Sequence, residues 1–315
     1  MRQPLSETVF SAFKRDLKRP WRSPGDPRRA IPLSTAHRMG LAALVIAGLL
    51  SLIHWRLSLV VMSTYVLMCA MAPFFHRIGF FAPVIYKGRA GGRAVALTFD
   101  DGPDPLSTPA LLALLKAHRV PATFFVSGCK VARHPRLVEA ILRHGHTIGN
   151  HSYTHDPLVY FKGKRALGKE IQDTQKALKP FGVVPRVYRP PVGVVGPGLG
   201  QPLQDAGLRV VNFSCRAFDR GNKRIPGIAA RILARVRSGD IILLHDNLPL
   251  GASGRQAWIR EMEILLKGLD RRRLRIWPLQ RLIGAPVMDF KDTGEPMGDK
   301  RPGGGRSAGT LADGS

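Results

Sequence analysis

The sequence predicts an α/β protein whose C-terminal two thirds form a parallel sheet closed, or nearly closed, into a barrel, behind an apolar N-terminal block. Three observations carry this reading. Short β-rich runs alternate with helical stretches over residues 94–285, reactive side chains recur at the carboxyl ends of those runs, and a nearly uncharged segment precedes them. With 44% apolar and 22% charged residues, disorder throughout is excluded.

Taken from the N-terminus, residues 1–38 hold nine Lys/Arg and three acids. Pro20, Pro24, Pro27 and Pro32 break any long helix there, so the segment reads as a flexible basic arm. Residues 39–76 read as transmembrane, with only His54, Arg56 and a few small hydroxyl residues interrupting the apolar run from 39 to 75. The stretches 39–54 and 57–75 are each near the ~20 residues that cross a bilayer. The block begins too late and runs too long for a signal peptide. After it, Arg77, Lys87, Arg89 and Arg93 appear before the first acid, Asp100. Positive charge on both flanks favours a two-helix hairpin turning at 54–56, with both ends on the cytoplasmic side of a bacterial-type inner membrane. A single long, tilted span would instead place the C-terminal domain on the periplasmic or extracellular side.

Residues 77–93 read as a basic linker, 94–285 as a folded globular domain and the Gly-rich 286–315 as a disordered tail. Within the domain the β-rich runs are 94–99, 122–126, 147–150, 187–189, 208–213, 240–244 and 274–279. Helices are expected near 109–118, 135–144, 166–179, 198–206, 225–236 and 255–269. A doubly wound open sheet is the competing architecture. The formal charge of +26 points to an anionic partner, and the apolar block makes membrane lipid the natural one. No nucleic-acid recognition module is present, so nucleic acid is not expected, and no protein partner is inferable. The cysteines, Cys69, Cys129 and Cys215, are too few and too dispersed for a disulfide framework or a zinc cluster.

The polar residues at the run ends suggest chemistry. His151 and His155, four apart, can reach one metal from a helical turn or a tight loop, and a carboxylate from Asp100-Asp101 would complete a three-ligand site open to water. Adjacent carboxylates on a strand point in different directions, so one can ligate while the other acts as general base. The plainer reading of Asp101-Gly102-Pro103 is a turn. His245 ends a buried run and suits a general acid; Arg189 can hold a carboxylate by two parallel hydrogen bonds.

The segments Thr98-Phe99-Asp100-Asp101-Gly102-Pro103, Asn150-His151-Ser152-Tyr153-Thr154-His155, Arg189-Pro190-Pro191-Val192-Gly193 and Leu244-His245-Asp246 resemble, in order and spacing, the motifs of the polysaccharide deacetylases. This is the NodB-homology group, or carbohydrate esterase family 4, and the resemblance runs from about Val95 to Leu282. It implies a distorted (β/α) barrel that hydrolyses N-acetyl groups on amino sugars of a polysaccharide, oligosaccharide or lipid-linked glycan. It also implies a divalent metal, usually zinc, on Asp101, His151 and His155, with Asp100 as base and His245 as acid. Arg189 would position Asp100, Asp219 would orient His245, and the Val192 N–H would hold the oxyanion. Two departures stand out. Val192 replaces the usual Tyr, and the usual Asp-Trp motif is absent from Ser214-Cys215-Arg216-Ala217-Phe218-Asp219-Arg220, which brings Arg216 and Arg220 to a wall where they would face solvent or an anionic substrate. Deformylation, O-deacetylation, and a catalytically silent glycan-binding member of the fold are the alternatives.

Overall fold

The computed structural model describes residues 33–291 except 76, 90–91 and 249–251. Most of the basic arm and of the Gly-rich tail lies outside the described residues. Two apolar helices come first, α1 (Thr35–Ser51) and α2 (Trp55–Met71). α1 starts ahead of position 39 because Ser34 caps it, its side chain accepting from the His37 N–H. The tight turn at 52–54 is feasible because His54 adopts an extended backbone and caps α2. Ser58 Oγ donates to the Ala47 carbonyl at 2.7 Å and Tyr65 OH to the Ala36 carbonyl at 3.0 Å, so the helices pack antiparallel. Most of their large apolar side chains, Leu41, Leu44, Leu49, Leu57, Val60 and Leu67 among them, are exposed.

The barrel strands are β1 (Val84–Ile85), β2 (Ala94–Gly102), β3 (Thr123–Val126), β4 (Thr147–Asn150), β6 (Val187–Tyr188), β7 (Arg209–Val211), β8 (Cys215–Arg216), β9 (Ile241–His245) and β10 (Arg275–Ile276). They pair in parallel in the order β1-β7-β6-β4-β3-β2-β9-β8, with β10 joining the start of β2. The helices between them are α3 (Thr108–His118), α4 (Gly128–Arg133), α5 (Pro135–Arg143), α6 (Gly163–Leu178), α7 (Gly200–Asp205), α8 (Ile228–Leu233), α9 (Ala252–Arg271) and α10 (Leu279–Ile283). β1 and β8 do not pair, so the barrel keeps a seam. The chain itself bridges it: beyond β7, the Asn212 N–H donates to Ile85 and the Ser214 N–H to Ile241.

Two sequence boundaries need correction. The linker at 77–93 contains β1, and Lys87 bridges to Asp240, because β7 would otherwise present an open edge. The tail begins later than 286, since β11 (Met288–Phe290) pairs antiparallel with β5 (Val183–Pro185) and buries Met288 in the core.

Sheet periodicity sets the interior. Along β2, Val95, Leu97 and Phe99 join the core under the helices, whereas Ala94 and Ala96 face the barrel lumen with Phe125, Val211, Phe213 and Leu243. α10 inserts Leu279 and Leu282 at the amino ends of the strands and closes that mouth. The opposite, carboxyl-end mouth is left to polar side chains.

Candidate active site

Thr98 and Asp100 continue the inward face of β2, and both accept from Arg189 Nη1 at 2.7 Å. Strict alternation would turn Asp101 outward beside Phe99. Instead the register with β3 shifts between Asp100 and Gly102, and Asp101 takes a φ of 70°, so the bulge swings its carboxylate into the same pocket. The expectation that the two carboxylates diverge is corrected by that single residue's backbone.

His151 lies just past β4, and its Nδ1 is 2.7 Å from the Arg189 carbonyl. A carbonyl only accepts, so Nδ1 carries the proton and Nε2 presents a lone pair. That Nε2 is 3.4 Å from Asp101 Oδ1, and the Nε2 of His155 is 3.0 Å from the same oxygen. The histidine pair is carried by a tight loop, not a helical turn. Ser152 and His155 adopt positive φ, and the loop is held by Glu170 of α6, which accepts from the N–H groups of Tyr153 and Thr154 at 2.8 Å each. Asn150 Oδ1 accepts from the Ser152 N–H, and Asn150 Nδ2 donates to the Ile171 carbonyl. Sequence reasoning missed Glu170; its only signal was an acid on the inward side of a helix.

The donor chemistry tests whether a metal fits. Asp101 Oδ1 is buried with no hydrogen-bond donor, although two imidazole nitrogens stand beside it. With its proton on Nδ1, His151 turns a bare Nε2 lone pair toward that carboxylate, and the ligand atoms of Asp101, His151 and His155 lie within 4.8 Å of one another, so this triad, the one such group among the described residues, fits a divalent ion. Two imidazoles and one carboxylate suit zinc or a neighbouring first-row metal.

Arg189 is 1% exposed and its charge is contained on every side. Besides Thr98 and Asp100, it donates from Nε to the Val211 carbonyl and from Nη2 to the Asn212 carbonyl, and it lies 4.0 Å over the Phe125 ring. The pairing with Asp100 is therefore through one nitrogen, not the two-bond fork that guanidinium geometry allows, because the backbone takes the other edge. Burial pulls the Arg189 pKa down, and Asp100 opposes that.

Across the pocket, His245 ends β9 and its Nδ1 is 2.7 Å from Asp219 Oδ2. Burial would lower the imidazole pKa, but Asp219, helped by Asp101 and Asp100, outweighs it and raises it to about 9. Asn222 locks the arrangement, donating from its N–H to Asp219 and from Nδ2 to the carbonyls of His245 and Asn247. The neighbouring Asp246 is fully buried and receives the hydroxyls of Ser107 and Thr108 at 2.6 Å each, while its N–H donates to the Asp100 carbonyl at 2.7 Å. Burial lifts the Asp246 carboxyl to about 7. It ties the ends of β2, β9 and α3 together beneath the pocket.

Val192 sits in the turn after Arg189 with φ 52°, a rare conformation for a β-branched residue, and its side chain is 61% exposed. The turn's hydrogen bonds run from Gly193 to Pro190 and from Val194 to Pro191, leaving the Val192 N–H outside them. Arg216 stacks 4.3 Å over Phe218, and Arg220 is exposed in the same loop.

The sequence model of the family described as Polysaccharide deacetylase matches residues 87–211. A chitooligosaccharide deacetylase of Bradyrhizobium sp. is 35% identical over 206 residues, covering 62% of this chain and 94% of the relative. The chain belongs to the polysaccharide deacetylase family. A peptidoglycan-N-acetylglucosamine deacetylase of Bacillus cereus is 32% identical over 195 residues, 61% of this chain and 88% of that one. Among solved structures, a peptidoglycan N-acetylglucosamine deacetylase bound to a naphthalenyl N-hydroxybenzamide superposes with a TM-score of 0.60 at 28% identity, covering 65% of this chain and 94% of the other. The family 4 carbohydrate esterase of Streptomyces lividans in complex with acetate gives 0.52 at 31% identity, over 61% and 97%. The family model spans β2 to β7 and so takes in Asp100, Asp101, His151, His155 and Arg189. As a member of this family, the chain is a hydrolase of amide C–N bonds.

Proposed function

We propose that the barrel removes the N-acetyl group of an amino sugar within a glycan, using a divalent metal, most aptly zinc, held by Asp101, His151 and His155. The carrying observation is the buried, donor-free Asp101 Oδ1 facing two imidazole nitrogens, with Asp100 and His245 on the same pocket. A bound divalent ion would polarise an acyl carbonyl and lower the pKa of a water. Asp100, fixed by Arg189, takes the proton from the attacking water. The tetrahedral oxyanion accepts a hydrogen bond from the Val192 N–H. His245, kept protonated by Asp219, then gives its proton to the departing amine. The complete set of base, acid and acceptor triad argues against the silent glycan-binding reading.

The hairpin is proposed as the anchor of this domain in a bacterial inner membrane, barrel on the cytoplasmic side. Its support is the exposed apolar surface of α1 and α2, with 55–74 long enough to span and flanking charge positive on both sides. Release of acetate from an N-acetylated chitooligosaccharide, lost on chelation and restored by zinc, is the expected result. Full activity after chelation, or in Asp100→Asn, would overturn the mechanism.

A further inference from the structure

The loop that carries Asp219 has a charge pattern the deacetylation chemistry does not need. Between positions 214 and 238 stand seven Lys/Arg and one acid, Asp219, which His245 already engages. Two of the guanidiniums share one ring: Arg216 lies 4.3 Å and Arg235 5.2 Å from the centroid of Phe218, a side chain 50% exposed. Arg77, six residues beyond α2, reaches the same edge by donating from Nη2 to the Ser214 carbonyl at 2.8 Å. None of the three has a carboxylate within ion-pair distance among the described residues, whereas Lys169 of α6 pairs with Asp173 and Lys267 of α9 with Glu263. Unpaired guanidiniums held against aromatic carbon, as those of Arg216 and Arg235 are, are pre-oriented and weakly hydrated, which is the state in which arginine binds phosphate oxygens.

Their place in the fold says what they serve. Arg216 pairs in register with Leu243, two residues before His245, on the strand that leads directly into the Asp219 loop. The loop from Phe218 to Asn222 is bent back by positive φ at Phe218, Arg220, Gly221 and Asn222 and pinned to β9 by Asn222, so the cluster is fixed relative to the acid. Arg77 puts the same cluster at the junction of hairpin and barrel.

We propose that Arg216 and Arg235, stacked on Phe218, together with Arg77 at the Ser214 carbonyl, form a phosphate subsite beside the catalytic pocket, which takes a phosphate group attached to the amino-sugar substrate. This rests on the deacetylation reading. The substrate class it defines is a sugar phosphate or phosphodiester, as at the head of a lipid-linked glycan. Arg216 and Arg235 act as binding residues that set specificity. The competing source of the same chemistry is the phosphate of bilayer headgroups.

The test uses the full chain in detergent micelles with two substrates that differ in one group, an alkyl phosphodiester of N-acetylglucosamine and the matching neutral alkyl glycoside. The wild type should favour the phosphate-bearing substrate in kcat/KM, and Arg216→Gln/Arg235→Gln should reduce that preference at least tenfold, mainly through KM. A preference unchanged within twofold, in a variant whose thermal unfolding matches the wild type, overturns the subsite. Calorimetric binding of the same two compounds is read in parallel. If the wild type hydrolyses neither, deacetylation fails, and the subsite still stands or falls on whether phosphate-dependent binding is lost in the variant. Cosedimentation with phosphatidylcholine vesicles, with and without phosphatidylglycerol, distinguishes the sources. Lost vesicle binding with an unaltered substrate preference assigns the cluster to headgroups and refutes the proposal.

Discussion

Replacing Arg189 by Met isolates the electrostatic logic of the pocket. The side chains are similar in length and apolar stem, so the change removes chiefly the charge, its four donated hydrogen bonds and its stacking on Phe125. What remains is the Asp100 carboxylate, 4% exposed, without its cation. Removing one partner of a buried ion pair destabilises by about 3–5 kcal/mol. For a domain of this size each kcal/mol corresponds to roughly 2–4 °C in Tm, so Arg189→Met should unfold about 6–20 °C lower. Circular dichroism melts with chelator present are the assay, since a bound cation would compensate the stranded charge. Arg189→Met/Asp100→Asn removes both charges and should recover at least half of the lost stability while remaining inactive. A single variant that melts within about 2 °C of the wild type would refute the assignment of Arg189 as counter-ion to Asp100. So would a double variant no more stable than the single one.

Three further outcomes are expected. His245 has a raised folded pKa, so its ion pair with Asp219 contributes stability fully below pH ~6.5, lost as pH rises through about 9. The alkaline limb of kcat/KM should fall by at least about one pH unit in Asp219→Asn, because a cation on Asp101, His151 and His155 cancels the Asp100 and Asp101 contributions and leaves that of Asp219; an unmoved limb would remove His245 as the acid. Asp101→Asn should lose stoichiometric zinc in equilibrium dialysis by a factor of ten or more, and retained binding would exclude the triad. A Cβ on Gly102 would collide with Asp246 Oδ2 in a buried carboxylate whose two oxygens are held by the Ser107 and Thr108 hydroxyls, so Gly102→Ala should cost about 1–3 kcal/mol in urea unfolding; a neutral effect would show that this tie is not rigid.

Much of the barrel was legible in the residues. The seven β-rich runs coincide with strands because buried parallel strands are short, unbroken apolar segments bounded by turn residues. The missed pieces, β1 and β8 with two residues each and the β5–β11 pair, are too short or too distant in sequence to carry a period. Their existence depends on which edge is left open, a property of the closed sheet.

The sequence by itself determined the residue types at the strand ends: Asp100, Asp101, His151, His155, Arg189, Asp219 and His245 are all drawn to one mouth. Parallel strands point their carboxyl ends the same way, so strand position alone predicts convergence. Only the tertiary structure decided which atoms meet. The bulge that turns Asp101 inward, the Arg189 carbonyl that fixes the proton of His151, and the backbone carbonyls that limit Arg189 to a one-nitrogen contact with Asp100 are matters of tenths of an ångström and single dihedral angles. They arise from contacts between residues 22 to 91 positions apart, which no local pattern encodes.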